Sequence, residues 1–203
     1  SQEKLDAAVA ELRTLGARVS AHSADVRDYP ALDKAMRDAR EELGPIHTLI
    51  CGAAGNFPLA AEQISPNGFK SVVDIDLLGS FHACRAAFEQ LKETRGNIIF
   101  ISAGQAFVPY AFQAHVGAAK AGIDNMMRNL ALEWGRFGIR CNSIAPGPIE
   151  GTEGVRRLVP AGSADKLKRM IPLGRFGTPD DIGQLSVFLA SPLASYITGT
   201  LIV

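Results

Sequence analysis

Strand-like and helix-like hydrophobic patterns alternate along this chain, and that alternation constrains the fold more than any other feature. Apolar residues at Leu5, Ala8, Val9, Leu12 and Leu15 recur at helical spacing and stop at Gly16, a residue able to take the left-handed conformation that closes a helix. The chain thus opens inside or just before a helix. A short strand is predicted at 18–23, then a helix introduced by Asp28 and Pro30 with Ala31, Leu32, Ala35, Met36 and Leu43 on one face. A buried strand is predicted at 46–51. Ser65 and Pro66 supply an N-cap and first-turn signal for a long helical region reaching about residue 91. Gly96 precedes an apolar strand at 97–102; a long helix at 112–134, a strand at 139–145, a Gly/Pro-rich segment, a helix near 179–190 and a final strand near Leu201 complete the series. Strands separated by helices of this length form βαβ units. The predicted fold is an α/β domain on a parallel sheet with helices on both faces.

With 203 residues, 47% of them hydrophobic, the chain can bury one substantial core, and a single domain is expected. Lys+Arg and Asp+Glu both number 21, so no whole-chain field draws in nucleic acid or an anionic membrane, and neither is expected as a partner. Cys51, Cys84 and Cys141 stand far apart without a Cys-x-x-Cys pair, which argues against a metal site or a disulfide framework and for a reducing compartment such as the cytoplasm. No uncharged apolar run reaches the ~18 residues of a membrane span, and the opening Ser-Gln-Glu-Lys-Leu has no signal-peptide core.

Parallel α/β sheets bind ligands outside the carboxyl ends of their strands. Four segments follow predicted strands there: 24–26, 51–57, 102–104 and 146–149. The loop Gly52-Ala53-Ala54-Gly55 has side chains small enough for a flat or charged ligand to approach the backbone, although tight strand-to-helix turns also use glycine. Pro146-Gly147-Pro148-Ile149 is a second rigid turn at the same edge. Within the helix at 112–134, Lys120 shares a face with Val116 and Asp124; by spacing alone it reads as a solvated lysine paired with Asp124. Asp76 reads by spacing as a polar position on an amphipathic helix, His115 as a core histidine and Ser102 as a strand-end hydroxyl bonded to its own backbone. Arg156, Arg157, Lys166, Lys168 and Arg169 make one segment basic, suited to phosphates or simply solvated.

In order and spacing these residues resemble the short-chain dehydrogenase/reductase family over essentially the whole chain. The resemblance is carried by Asp25-Val26, the Ala53-Ala54-Gly55 loop, Ser102, Lys120, Asn142-Ser143-Ile144-Ala145-Pro146-Gly147 and Ile197-Thr198-Gly199. Within that family, Gly55-Asn56-Phe57, Asp74-Ile75-Asp76, His115-Val116-Gly117, the run at 146–154 and Ala190-Ser191-Pro192-Leu193-Ala194-Ser195-Tyr196 resemble the branch of peroxisomal-type 2,4-dienoyl-CoA reductases. The resemblance implies one Rossmann-type, doubly wound domain over 1–203, with its first strand and glycine-rich loop lying before this chain and a substrate loop at about 150–175. It implies NADPH as cofactor, held by Asp25, Val26, Cys51, Gly52, Ala53, Lys120, Pro146, Gly147, Pro148 and Ile149. NADPH over NADH follows from the resemblance alone, since Ser1 is the residue nearest the segment that would read the ribose 2′ group. It further implies an acyl-CoA substrate against Asn56, Phe57, His115 and Arg157, a homotetramer assembled through the two long helices, and either a cytoplasmic or a peroxisomal address.

One departure from the family pattern restricts the chemistry. Most members carry Tyr-x-x-x-Lys, with the tyrosine protonating a carbonyl oxygen; here the run is Val116-Gly117-Ala118-Ala119-Lys120. Valine cannot protonate an alkoxide, which counts against a ketoreductase. Hydride addition to a conjugated dienoyl thioester instead gives a dienolate that needs a proton on carbon, and the branch resembled implies Asp76 and Lys120 as the acid/base pair acting through water, with Ser102 steadying it. Tyr110 is a second candidate donor. A second departure is Cys51-Gly52 where the family usually has Asn-Asn. An ordinary hydroxy or keto dehydrogenase and a catalytically silent cofactor-binding homologue are the alternatives.

Overall fold

In the computed structural model, which describes residues 2–160 and 162–203, helices α1 (Gln2–Thr14) and α2 (Tyr29–Leu43) lead into strand β1 (Thr48–Cys51). There follow α3 (Pro66–Val73), a π-helical turn (Asp74–Leu78), α4 (Gly79–Thr94), β2 (Asn97–Ile101), α5 (Ala114–Trp134) and β3 (Arg140–Ile144). The short helices α6 (Glu153–Leu158) and α7 (Ala164–Met170), then α8 (Pro179–Ala190) and β4 (Leu201–Ile202), complete the chain. Ser1 and Ala161 lie outside the described residues; the first bears on the cofactor expectation and the second belongs to the expected substrate loop.

The local signals act as their chemistry requires. Asp28 accepts the Ala31 N–H and Ser65 accepts the Gly68 N–H, each satisfying a helix-end donor ahead of a proline in the first turn. Thr178 and Asp181 form a capping box at the start of α8.

The four strands run parallel in the order β1-β2-β3-β4, with Thr48 beside Asn97, Asn97 beside Arg140 and Ser143 beside Leu201. Alternate residues of β2 face opposite sides of the sheet. Ile98 and Phe100 join Cys84, Leu91, Met127 and Ile139 in the core under α4 and α5, with Leu32 and Met36 of α2 packed against it. Ile99 points the other way, into a smaller core with Ile144, Leu189 and Ala194 beneath α8. Helices therefore cover both faces, and β2, buried along Asn97, Ile98, Ile99 and Phe100, is the central layer. Burying one side chain such as Phe100 stabilises the fold by roughly 1.5–3 kcal/mol.

Three expectations are corrected. No strand forms at 18–23, because a strand exists only through a hydrogen-bonded neighbour and none of the described strands lies beside this segment. The long helix begins at Ala114 and not at 112, since Phe112 sits at φ 65°, in the left-handed region that a bulky side chain rarely adopts. The helical region after Ser65 is not uniform: its π turn at Asp74–Leu78 separates α3 from α4.

Candidate active site

The ends of β1 and β2 converge on one buried ion pair. Lys120 projects from α5, its Nζ donating to the Ile101 carbonyl at 3.0 Å and lying 3.3 Å from Asp76 Oδ2. Lys120 is 6% exposed and Asp76 wholly buried. The other Asp76 oxygen, Oδ1, accepts the Gly55 N–H at 2.6 Å, so this carboxyl ties the loop after β1 to α5. Burial pushes the Asp76 carboxyl above the ordinary carboxylate range, against the opposing pull of the Lys120 charge and the Gly55 hydrogen bond. The π turn explains how an aspartate comes to point inward: Asp74, two residues earlier, pairs with Lys70 on the outer face, whereas Asp76 is the buried residue of the turn. Such turns are frequent at functional sites.

Asp124 is not the partner of Lys120. Its Oδ2 accepts the Ser102 hydroxyl at 2.8 Å, both groups being buried. Ser102 thus binds a side chain and not its own backbone. Val116, in the place where most of the family has tyrosine, is 3% exposed and packed with Val72, Ala119, Phe57 and Val73. Tyr110 is 55% exposed, on the loop before α5.

Val26, Cys51, Gly52 and Ala53 line a single groove of about 160 Å³ together with Gly79 and Ser80. The His82 ring donates from Nδ1 to the Val26 carbonyl at 2.8 Å, and Gly79 permits the approach: a Cβ there would stand 2.6 Å from Val26 Cγ2. Asp25 is exposed and clasped by Arg27, whose guanidinium holds its carboxyl down to about 2. Gly147 and Pro148 are exposed, and Pro146 and Ile149 half-buried, at the base of the excursion that carries α6 and α7. That base is closed by the Ile149–Gly177 bridge. A larger groove, about 420 Å³ between Arg13, Arg18 and Glu42, lies at the opposite end of the strands from these loops and gathers none of these residues.

Of the residues expected to meet substrate, Phe57 packs on the His115 ring with centroids 4.3 Å apart, and Arg157 of α6 donates to the Asn56 carbonyl at 2.7 Å. The structure therefore brings Asn56, Phe57, His115 and Arg157 into one contiguous group beside Asp76, with His115 fully buried. Lys166 and Arg169 are exposed, while Lys168 lies over the Phe176 ring. Sequence reasoning missed Gln113, buried ahead of α5, for which no local pattern gives a signal, and the pairing of Ser102 with Asp124, for which the spacing offered only a lysine partner. Cys51, Cys84 and Cys141 are free and buried. Among the described residues no group of three potential metal ligands occurs, and no helix is long and apolar enough to cross a membrane.

A three-layer parallel α/β domain with its reactive side chains gathered at the carboxyl ends of the strands is the architecture of a Rossmann-type enzyme domain. A family model described as enoyl-(acyl carrier protein) reductase matches residues 1–203. The chain is 49% identical over 179 residues to the peroxisomal, (3E)-enoyl-CoA-producing 2,4-dienoyl-CoA reductase of Saccharomyces cerevisiae, covering 88% of this chain and 61% of that protein. It is 45% identical over 190 residues to the rat protein of the same name, covering 93% and 65%. It is also 39% identical over 203 residues to a probable (2E)-enoyl-CoA-producing 2,4-dienoyl-CoA reductase of Bacillus subtilis, covering 98% and 80%. A short-chain dehydrogenase from Bacillus anthracis superposes with a TM-score of 0.88 at 38% identity, over 100% of this chain and 80% of the other. The chain belongs to the short-chain dehydrogenase/reductase family. It spans less than two thirds of the yeast and rat proteins it matches.

Proposed function

We propose that this protein uses NADPH to reduce a 2,4-dienoyl-CoA thioester, with Asp76 and Lys120 at the reacting centre. The observation that carries the reading is the buried Lys120–Asp76 pair beside an apolar Val116: the site has a carboxyl whose hold on a proton burial strengthens and a lysine ammonium beside it, and no phenol at 116.

The residues present fit a nicotinamide nucleotide. An ammonium has three donors; that of Lys120 spends one on Ile101 and directs another at Asp76, leaving a third for a ribose hydroxyl. Exposed main chain at Gly52, Ala53, Gly147 and Pro148 borders the site, and Asp25 and Val26 follow at its far end. When bound, the nucleotide supplies the hydride. Lys120 then orients the ribose and offsets negative charge on the thioester oxygen of the dienolate. Gly55 fixes Asp76 Oδ1, so a proton on this carboxyl sits at Oδ2 and passes through water to a substrate carbon, with Ser102 holding that water. Such proton delivery contributes about 10²–10⁴ in rate.

The acyl chain would lie between Asn56-Phe57 and the 150–169 segment, where Arg157 joins the two walls. A homotetramer through α4 and α5 belongs to the same reading, since Phe81 and Leu132 on their outer faces are exposed; sedimentation tests it. The names of the yeast and rat relatives place those proteins in the peroxisome, and that compartment joins the cytoplasm as the address to test by imaging a fusion.

The deciding experiment follows NADPH absorbance with 2,4-hexadienoyl-CoA in wild type, Asp76→Ala and Lys120→Ala. Oxidation that collapses in both variants while NADPH binding persists supports the mechanism; loss of NADPH binding in Lys120→Ala alone reduces the lysine to a ribose anchor. Turnover of a keto substrate but not the dienoyl thioester would replace the reading with a ketoreductase, and NADPH binding without any turnover with a silent homologue.

A further inference from the structure

We infer that His115 is a positioning residue for Asp76, holding an internal water against the carboxyl oxygen that carries the proton. The inference rests on the reading of Asp76 as the acid.

His115 is wholly buried, and neither ring nitrogen has a hydrogen-bond partner among the described residues. A neutral imidazole offers one N–H and one lone pair, and leaving a buried polar group unmatched costs about 1–3 kcal/mol. Asp76 Oδ2 is likewise buried without a hydrogen bond, with the Lys120 ammonium 3.3 Å away. His115 and Asp76 belong to one neighbourhood. Gly55 binds Asp76 Oδ1, and Phe57, two residues on in the same loop, packs on the His115 ring. His115 is also close enough to Asp76 for a charge on its ring to favour the carboxylate.

The donor and acceptor inventory identifies the occupant. Asp76 Oδ2 as carboxylate only accepts, while the imidazole supplies a single N–H and a lone pair. No direct hydrogen bond joins the two groups. A water that accepts from the imidazole N–H and donates to Asp76 Oδ2 links them, and buried waters make about three such bonds. The surroundings exclude a more elaborate ligand, because Val72, Val116 and Ala119 form a buried apolar cluster against which Phe57 packs. Asp76 and Lys120 are paired at this carboxyl, and Arg157 is held close by on the Asn56 carbonyl. On α3 and the π turn, Lys70 and Asp74 satisfy each other on the outer face, and the turn Gly104–Ala106 packed on α5 carries no titratable side chain.

The test uses protein expressed from its complete gene, as wild type, His115→Leu and His115→Gln. Leucine removes both polar atoms, whereas glutamine keeps a donor and an acceptor. The expected result is a fall in kcat of about tenfold or more in His115→Leu with KM and NADPH affinity within about twofold, and partial recovery in His115→Gln. The alkaline limb of the kcat profile, set by Asp76, moves to higher pH by about one unit, since the ionised carboxylate has lost a water-borne donor. A raised KM with unchanged kcat and an unmoved limb, in variants that melt like wild type, overturns the inference, as does glutamine performing no better than leucine. A carbon-13 titration of the Asp76 carboxyl reads the same link without substrate. No difference there between wild type and His115→Leu sinks the positioning role whatever the substrate is. An upward shift without dienoyl-CoA turnover leaves the role standing and removes only the substrate assignment.

Discussion

Ser102 donates its hydroxyl to Asp124 at 2.8 Å, and this bond separates the two carboxylates that α5 faces. Asp124, one turn beyond Lys120, is committed to the strand end, so the lysine is left for Asp76. Replacing Ser102 by alanine would leave Asp124 Oδ2 without a donor in a buried place where Oδ1 already lacks one. A loss of stability of about 1–3 kcal/mol is expected, with Ser102→Ala and Asp124→Ala non-additive by about 0.5–3 kcal/mol in urea unfolding. Strict additivity would show that the two groups do not interact.

The Asp76 carboxyl carries a pH signature. Burial raises its pKa above the unfolded value, so over the interval between the two values the native state holds a proton that the unfolded chain has released. Stability is complete below the unfolded pKa and declines as pH rises through the folded one. The Lys120 charge is the leading influence opposing that rise. In Lys120→Met the Asp76 pKa climbs further, and the variant's deficit relative to wild type is larger near pH 7 than near pH 4. Equal deficits at both values would mean that the lysine does not act on this carboxyl.

Gly79 stands where α4 meets Val26. Alanine normally improves a helix interior by about 1 kcal/mol over glycine, but here its Cβ would meet Val26 Cγ2 at 2.6 Å and Val26 Cβ at 2.9 Å. Overpacking of this kind costs about 1–3 kcal/mol. Gly79→Ala is therefore expected to lower the melting temperature and, by displacing the Asp25-Val26 turn, to weaken NADPH binding in a fluorescence titration more than Gly183→Ala, a change with no atom within 4 Å of the added Cβ.

The three buried thiols are expected to be unreactive while the protein is folded. Burial pushes Cys141 up to about 12 and Cys84 well above the ordinary thiol range, and Cys51 is buried with its sulfur 4.0 Å from that of Cys84. Because the thiolate is the reactive form, a chromogenic disulfide at pH 8 should label none of them natively and all three in denaturant. Fast native labelling of any one would contradict the burial of that site.

Much of the architecture was legible from one-dimensional pattern. Strands β1, β2 and β3, helices α2, α5 and α8, and the caps at Asp28 and Ser65 follow from hydrophobic periodicity and from side chains that satisfy backbone N–H groups within three residues, and both are local physics. Lys120, Asp76 and Ser102 are singled out by family resemblance in their order along the chain, whereas their spacing alone reads as ordinary helix and strand-end positions. What no local rule contains is who partners whom. The 18–23 segment has β character but no neighbouring strand. Phe112 delays α5 because Leu59, more than fifty residues earlier, donates its N–H to the Phe112 carbonyl. The π turn that buries Asp76, the transfer of Asp124 from Lys120 to Ser102, and the packing of Phe57 on His115 all arise where separate elements meet. There, the cost of leaving a buried polar atom unmatched outweighs the weak preferences of helix and strand, and only the packed chain brings those atoms together.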